Sequence, residues 1–200
     1  MTDLKAQMRA RAKAIRAEAK AQIGDWAGAA IATRFFTADQ TGAGPADGMC
    51  PGTCVSGYSP IGTEVDALPL MAALHALGAT VCLPMIKPDG GALTFRTWQP
   101  AMALEPHCFG TAAPPEAASV AVRPTLLLVP LLAFDRQGGR LGYGQGHYDR
   151  TLAALRRDGP ITAVGLAFSA QALDRVPMEG HDVPLDWIVT EAAVLRCRPD

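Results

Sequence analysis

Residues 126–129, Leu-Leu-Leu-Val, form an apolar run with no polar break. A strand with one wet face alternates polar and apolar residues. An unbroken run instead suits a strand buried on both faces, as in a parallel sheet covered by helices. Pro130, Asp135 and the pair Gly138-Gly139 end the run. A polar loop follows, with glycines at 142, 144 and 146. Glycine at every second position lets the backbone take positive φ and turn several N–H groups toward one anion. Tyr148 and Asp149 close the loop, and Thr151 to Leu155 read as the first turns of a helix. Strand, glycine loop and helix start, in that order, make a phosphate site, because the helix end adds free N–H groups and a positive dipole.

Arg140 precedes the loop and Arg150 follows it, and a guanidinium grips phosphate with a planar fork. Asp149 offers a carboxylate for a magnesium ion bridging phosphate oxygens. The glycines alone also fit a tight surface turn. The loop is neither the Gly-Lys-Ser/Thr phosphate loop nor the dinucleotide fingerprint, whose third glycine comes later.

The chain's 200 residues suffice for one domain, 1–200. Elements alternate along it. A helix over 3–36, breaking near Gly24, opens on Thr2 or Asp3 as a cap. Its apolar stripe is Leu4, Met8, Ala12, Ile15 and Ala19; beside it run Lys5, Arg9, Lys13, Arg16 and Lys20. That basic stripe fits a solvated face. Residues 37–53 read as a flexible loop. Strands are expected at 54–58, 80–85, 93–98, 162–168 and 187–190, and a helix at 68–77. Residues 80–98 fit a hairpin turning at Asp89-Gly90-Gly91. The proline-rich stretch 99–124 reads as an irregular lid. This order predicts an α/β fold: a single domain, a mostly parallel sheet and helices on both faces. Ligands of such sheets bind at the carboxyl ends of strands.

A net charge of −1 argues against broad nucleic-acid binding, and the first residues hold no apolar stretch for export or a membrane span. Five cysteines, an odd number, suggest free thiols in a reducing cytoplasm. Cys50 and Cys54 lack the partners of a zinc site. Trp98 suits either a core or a stacked heterocycle.

The segment 129–152, VPLLAFDRQGGRLGYGQGHYDRTL, closely resembles the signature of the 5-formyltetrahydrofolate cyclo-ligase family: Val-Pro, an apolar-Ala-Phe-Asp element, then Arg-Leu-Gly-x-Gly-x-Gly-x-Tyr-Asp. The resemblance extends over nearly the whole chain. It implies ATP- and magnesium-dependent closure of 5-formyltetrahydrofolate to the 5,10-methenyl form, by phosphorylation of the formyl oxygen and attack of N10. The implied ATP contacts are Lys5 and Arg9, matching the family's Lys-x-x-x-Arg pair, with Arg140, Leu141, Gly142, Tyr143, Gly144, Gln145, Gly146, His147 and Tyr148. The implied substrate contacts are Tyr58, Glu64, Tyr143, Gly144, Gln145, Gly146 and His147. Asp149 and Asp182, the latter in a His-Asp-x-x-x-Asp element, are the implied metal ligands. From position alone Glu64 reads rather as a first-turn acid of the next helix, and Asp182 equally as a turn carboxylate. Ala113 stands where the family's Gly-Ile-x-Glu-Pro element has its acid. The implied partners are ATP and the folate, with the chain a cytoplasmic monomer binding neither nucleic acid nor membrane.

Two other classes fit such a sheet: a sugar-phosphate isomerase or acyl-transfer enzyme, and a non-catalytic nucleotide or folate sensor. The first needs a base for which the sequence has no candidate. The second would bind ATP without turnover.

Overall fold

The computed structural model describes residues 2–39, 41–87 and 90–197. Side chains of Thr2 and Asp3, and the Asp89 turn, lie outside the described residues. Helices α1 (Thr2–Ile23) and α2 (Trp26–Phe35) lead into β1 (Cys54–Ser56), α3 (Leu68–Ala76), β2 (Thr80–Met85) and β3 (Thr94–Thr97). Short strands β4 (Glu105–Pro106), β5 (Ala112–Ala113) and β6 (Ala121–Val122) precede β7 (Leu126–Pro130). Then come β8 (Ala133–Phe134), β9 (Arg140–Leu141), α4 (His147–Arg157), β10 (Thr162–Leu166), β11 (Trp187–Val189) and β12 (Val194–Arg196).

The main sheet runs β12-β11-β10-β7-β1-β2-β3-β6. Its five central strands are parallel, and β12, β3 and β6 are antiparallel at the edges. The apolar run 126–129 is buried throughout, in the middle of the sheet. Leu126 and Leu128 face one layer with α1, α2 and α3. Leu127 and Val129 face the other, with Leu152 and Leu155 of α4. Helices therefore cover both faces, as the run requires. From β1 the chain moves to β2 on one side, and from β7 to β10 on the other. The strand order thus reverses between β1 and β7. The two connections part there and leave a crevice at their carboxyl ends.

Several local expectations change. Gly24, with φ of 73°, separates α1 from α2. Leu4 of the apolar stripe is 55% exposed, so the stripe packs only from Met8 onward. The loop 37–53 is not loose: Asp39 Oδ1 accepts from Thr41 N–H and Ala43 N–H, and Ala43, Ala46 and Met49 pack on the core. The lid contains the β4–β5 hairpin, and β6 extends the sheet. Helix α4 begins at His147, four residues before the expected Thr151. Trp98 is a core residue. The five cysteines are free thiols. Among the described residues no helix is long and apolar enough to cross a membrane.

Candidate active site

Three segments converge at the crevice: the loop after β1, the glycine loop after β9, and the N-terminal half of α1. The short β8–β9 hairpin sets the direction of the glycine loop. Asp135, 2% exposed, holds it: Oδ1 accepts from Gly139 N–H at 2.8 Å and Oδ2 from Val176 N–H at 2.7 Å. A Cβ on Gly139 would sit 2.5 Å from Asp135 Oδ2, so only glycine allows this grip. Gly144 and Gly146 take positive φ, at 94° and 66°, as the alternating pattern predicts. Gly142 does not; its backbone is ordinary and a Cβ there would meet nothing. Position 142 needs no glycine for backbone geometry, because β9 has only just ended there.

Gly146 is the N-cap of α4. The first helical bond from the cap runs from Arg150 N–H to Gly146 O at 3.1 Å. The N–H groups of His147, Tyr148 and Asp149 therefore have no acceptor within the helix. They give the loop a positive end. His147 Nε2 is buried with no hydrogen-bond partner, an unusual state for an imidazole nitrogen and one that a ligand would relieve. The Phe109 ring lies 6.2 Å from the His147 ring. Phe109 is 66% exposed at a φ of 57°, at the tip of the lid.

Lys5 and Arg9 share one side of α1, as their spacing predicts, but neither points to bulk water. Arg9 Nε donates to Gly142 O at 3.0 Å, and its guanidinium packs against Gly144. Lys5 Nζ lies 3.0 Å from Glu179 and 3.0 Å from Asp182. Burial alone would lower the Lys5 pKa; bonds to Glu179 and Asp182 outweigh it and raise it. Burial likewise pushes Asp182 up, but Glu179 N–H and Lys5 hold its carboxyl below the usual range. Lys13 and Lys20 keep the solvated role: Lys13 lies over the Tyr143 ring, and Lys20 pairs with Asp25 at 2.7 Å.

Arg140 is buried. One arm donates to Val183 O; the other meets Asp149 Oδ1 at 2.5 Å. Burial lowers its pKa, opposed by Asp149. The same Asp149 oxygen accepts Val183 N–H at 3.0 Å. Asp149 thus locks the site arginine, and as the third residue of α4 it is not the cap. Asp149 and Asp182 both line one cleft of about 410 Å³ with Gly144, Gly146, Arg150 and His181. Among the described residues no three His, Cys, Asp or Glu side chains form a metal cage. Two carboxylates on one cleft, with room for phosphate and water, nevertheless suit magnesium, which keeps several non-protein ligands.

Glu64 faces the crevice from the other side and is 5% exposed. Its Oε2 accepts Ile61 N–H at 2.9 Å, and Oε1 lies 3.6 Å from Arg16 NH1. Burial raises its pKa, opposed by the Ile61 bond and Arg16. The first-turn role fails, because α3 begins four residues later at Leu68. Tyr58 is not beside Glu64 as an open ligand contact. It is a core residue, 3% exposed, whose hydroxyl donates to Val65 O at 2.9 Å. It closes the loop that presents Glu64. Tyr148 is partly buried against the α4 layer, and burial drives its hydroxyl pKa well up. Leu141 is buried in the cluster under α1. Tyr143 and Gln145 are exposed at the loop tip. Arg16 and Phe109 carry no mark in the sequence that sets them apart, Arg16 sitting among several similar bases; Asp135 is the acid of the apolar-Ala-Phe-Asp element, though its grip on Gly139 and Val176 is not legible there.

These features define an α/β protein with a crevice at the switch point of its sheet, walled on one side by cations and helix N–H groups that suit an anion and on the other by a buried carboxylate. The 5-formyltetrahydrofolate cyclo-ligase family model matches residues 2–191. The 5-formyltetrahydrofolate cyclo-ligase of Mycolicibacterium smegmatis is 34% identical over 146 residues, 70% of this chain and 74% of that protein. That of Escherichia coli K12 is 34% identical over 139 residues, 66% of this chain and 74% of its own. The solution structure of Aquifex aeolicus 5,10-methenyltetrahydrofolate synthetase superposes with a TM-score of 0.72 at 27% identity, covering 98% of this chain and 94% of that one. The chain belongs to the 5-formyltetrahydrofolate cyclo-ligase family and is an enzyme of that class.

Proposed function

We propose that this enzyme converts 5-formyltetrahydrofolate to 5,10-methenyltetrahydrofolate at the expense of ATP, with phosphorylation of the formyl oxygen. The observation that carries the reading is the crevice itself. Arg9, the glycine loop and the start of α4 line its anion-binding side, and Glu64 is buried on the opposite wall. An amide oxygen does not leave unaided. Transfer of the γ-phosphoryl group to it makes the formyl carbon electrophilic and turns the oxygen into phosphate, a good leaving group. N10 then attacks that carbon, and phosphate departs.

Such a reaction needs alignment and charge stabilisation more than a protein nucleophile. Arg9 and Lys5 on α1 and the loop N–H groups hold the phosphates, with Arg140 fixing the loop base through Asp149. Lys5 must exchange part of its hold on Glu179 and Asp182 to reach a phosphate. Glu64 accepts N–H groups of the pterin, a hydrogen-bond donor edge that suits a carboxylate. The Tyr143 to His147 segment lies between the two ligands, with His147 Nε2 free to bond either. Asp149 and Asp182 would hold magnesium, which supplies charge neutralisation on the phosphate oxygens. Tyr58 supports Glu64 from the core rather than touching the folate.

The test is turnover. Purified protein with 5-formyltetrahydrofolate, ATP and magnesium should develop methenyl absorbance, with ADP formed in equal amount. Omitting ATP should abolish it. Binding of both ligands without product would instead favour the sensor reading.

A further inference from the structure

Arg16 is a buried base that the proposed reaction leaves unused. It lies midway along α1, 3% exposed. Its guanidinium spans three separate segments. Nε donates to Thr63 Oγ1 at 3.1 Å, in the loop after β1. NH1 donates to Leu131 O at 3.3 Å, just past β7, and pairs with Glu64 at 3.6 Å. NH2 donates to the Tyr143 hydroxyl at 2.5 Å, in the glycine loop, and the guanidinium lies 5.5 Å from that ring's centre. Burying a guanidinium is costly unless its donors are used. Here they are used on the two loops that flank the crevice.

We propose that Arg16 is a positioning residue that fixes Glu64 and the Tyr143 hydroxyl in one frame, coupling the seating of the glycine loop to the substrate carboxylate. The inference rests on the substrate role proposed above for Glu64. Tyr143 is 39% exposed, with Lys13 also over its ring, and its hydroxyl is the end that Arg16 holds. Its hydroxyl oxygen accepts from Arg16 and keeps its own proton to donate toward Glu64, which it neighbours. The glycine loop seated in this way presents a donor to Glu64, and displacing the loop withdraws it. Conversely, a pterin bound at Glu64 favours the seated loop. Arg16 is the cation that acts on Glu64, and Tyr143 from the glycine loop, Tyr58 from the end of β1 and Tyr148 from α4 also face it.

Geometry and charge separate in two substitutions. Arg16→Met removes both. Arg16→Lys keeps a charge but has no fork to join Thr63, Glu64 and Tyr143. Tyr143→Phe removes the link from Arg16 to the loop and the hydroxyl that donates to Glu64, and leaves the cation in place. Hydrogen exchange of amides 142–146 and the pH profile of kcat/KM for 5-formyltetrahydrofolate read the two effects apart. Arg16→Met should speed loop exchange about tenfold. It should also move the limb set by Glu64 upward by about one pH unit, since a buried carboxylate without its cation holds its proton longer. Arg16→Lys should restore the limb but not the slow exchange. Tyr143→Phe should speed exchange and, by removing one hydrogen bond to Glu64, move the limb upward less than Arg16→Met does, and it decides the matter if Arg16→Met fails to fold.

Unchanged exchange in both Arg16→Lys and Tyr143→Phe would overturn the proposal, as would a limb unmoved in folded Arg16→Met. Glu64→Gln run alongside separates the two claims. Normal folate kinetics in that variant would refute the substrate role of Glu64 and with it the coupling. Impaired folate use in Glu64→Gln, beside wild-type exchange in Tyr143→Phe, would remove the Arg16 frame alone.

Discussion

Replacing Asp149 by asparagine tests two roles at once, and the structure separates them. If Asp149 capped α4, asparagine would keep the fold. Gly146 is the cap, however, and Asp149 pairs with Arg140 at 2.5 Å, with side chains 5% and 19% exposed for Arg140 and Asp149. Removing one partner of a buried pair leaves the other charge uncompensated, which costs about 3–5 kcal/mol. Asparagine still accepts one hydrogen bond from Arg140 or Val183 N–H, so the expected loss is about 2–3 kcal/mol. For a chain of this size that lowers Tm by roughly 4–12 °C. Thermal and urea unfolding measure it. Adding Arg140→Gln should cost less than the two singles together, with a coupling of about 1–3 kcal/mol. Turnover, read well below the melting temperature, tests the second role. The half-saturating magnesium concentration should rise at least about tenfold, the loss of one charged ligand, and raised magnesium should recover part of the rate. Tm within about 1 °C of the parent would refute the buried-pair argument, since the predicted cost is several times larger. Near-normal turnover at every magnesium concentration would refute the metal role, whatever the stability does.

Arg9→Ala should weaken a non-hydrolysable ATP analogue by roughly 1.5–3 kcal/mol in calorimetric titration, and folate binding less; affinity unchanged within twofold would return Arg9 to a structural tie on Gly142 O. Glu64→Gln should raise KM for the folate while ATP affinity holds, because an amide offers a donor where the carboxylate accepts; normal folate kinetics with an altered Tm would make Glu64 a structural acid. The Lys5 pairing should show in stability against pH. Asp182 is lowered in the fold, so its contribution is present above the unfolded carboxylate pKa and lost as pH falls through the folded value. Lys5 is raised, so its contribution is present below the unfolded lysine pKa and lost as pH rises through the folded one. Urea unfolding should therefore give Lys5→Met a deficit of about 1 kcal/mol near neutrality that shrinks in acid; a deficit unchanged down to the lowest pH would contradict the pairing.

The apolar run at 126–129 announced the buried central strand, and period and turn residues placed most of the others. What they missed depends on contacts rather than pattern. Strand β12 is an edge strand of three residues, too short for periodicity. The β8–β9 hairpin depends on Asp135 accepting from Gly139 and Val176, two partners far apart in sequence. Four-residue spacing put Lys5 and Arg9 on one helix side, and only the resemblance to the family's Lys-x-x-x-Arg pair set them apart from the rest of the basic stripe. Arg16 was not legible, since nothing local distinguishes a buried arginine from a solvated neighbour; only Glu64 and Tyr143, far along the chain, do that. Tyr58 misled because a tyrosine after a strand suits a ligand wall as well as a core, and its hydroxyl found Val65 O within its own loop.

The most direct test of the central claim follows the formyl oxygen. Turnover with 5-formyltetrahydrofolate carrying ¹⁸O in the formyl group, with ATP and magnesium, should place the label in the released inorganic phosphate, one labelled phosphate for each methenyl product. Methenyl product formed with unlabelled phosphate would contradict phosphorylation of that oxygen at this site.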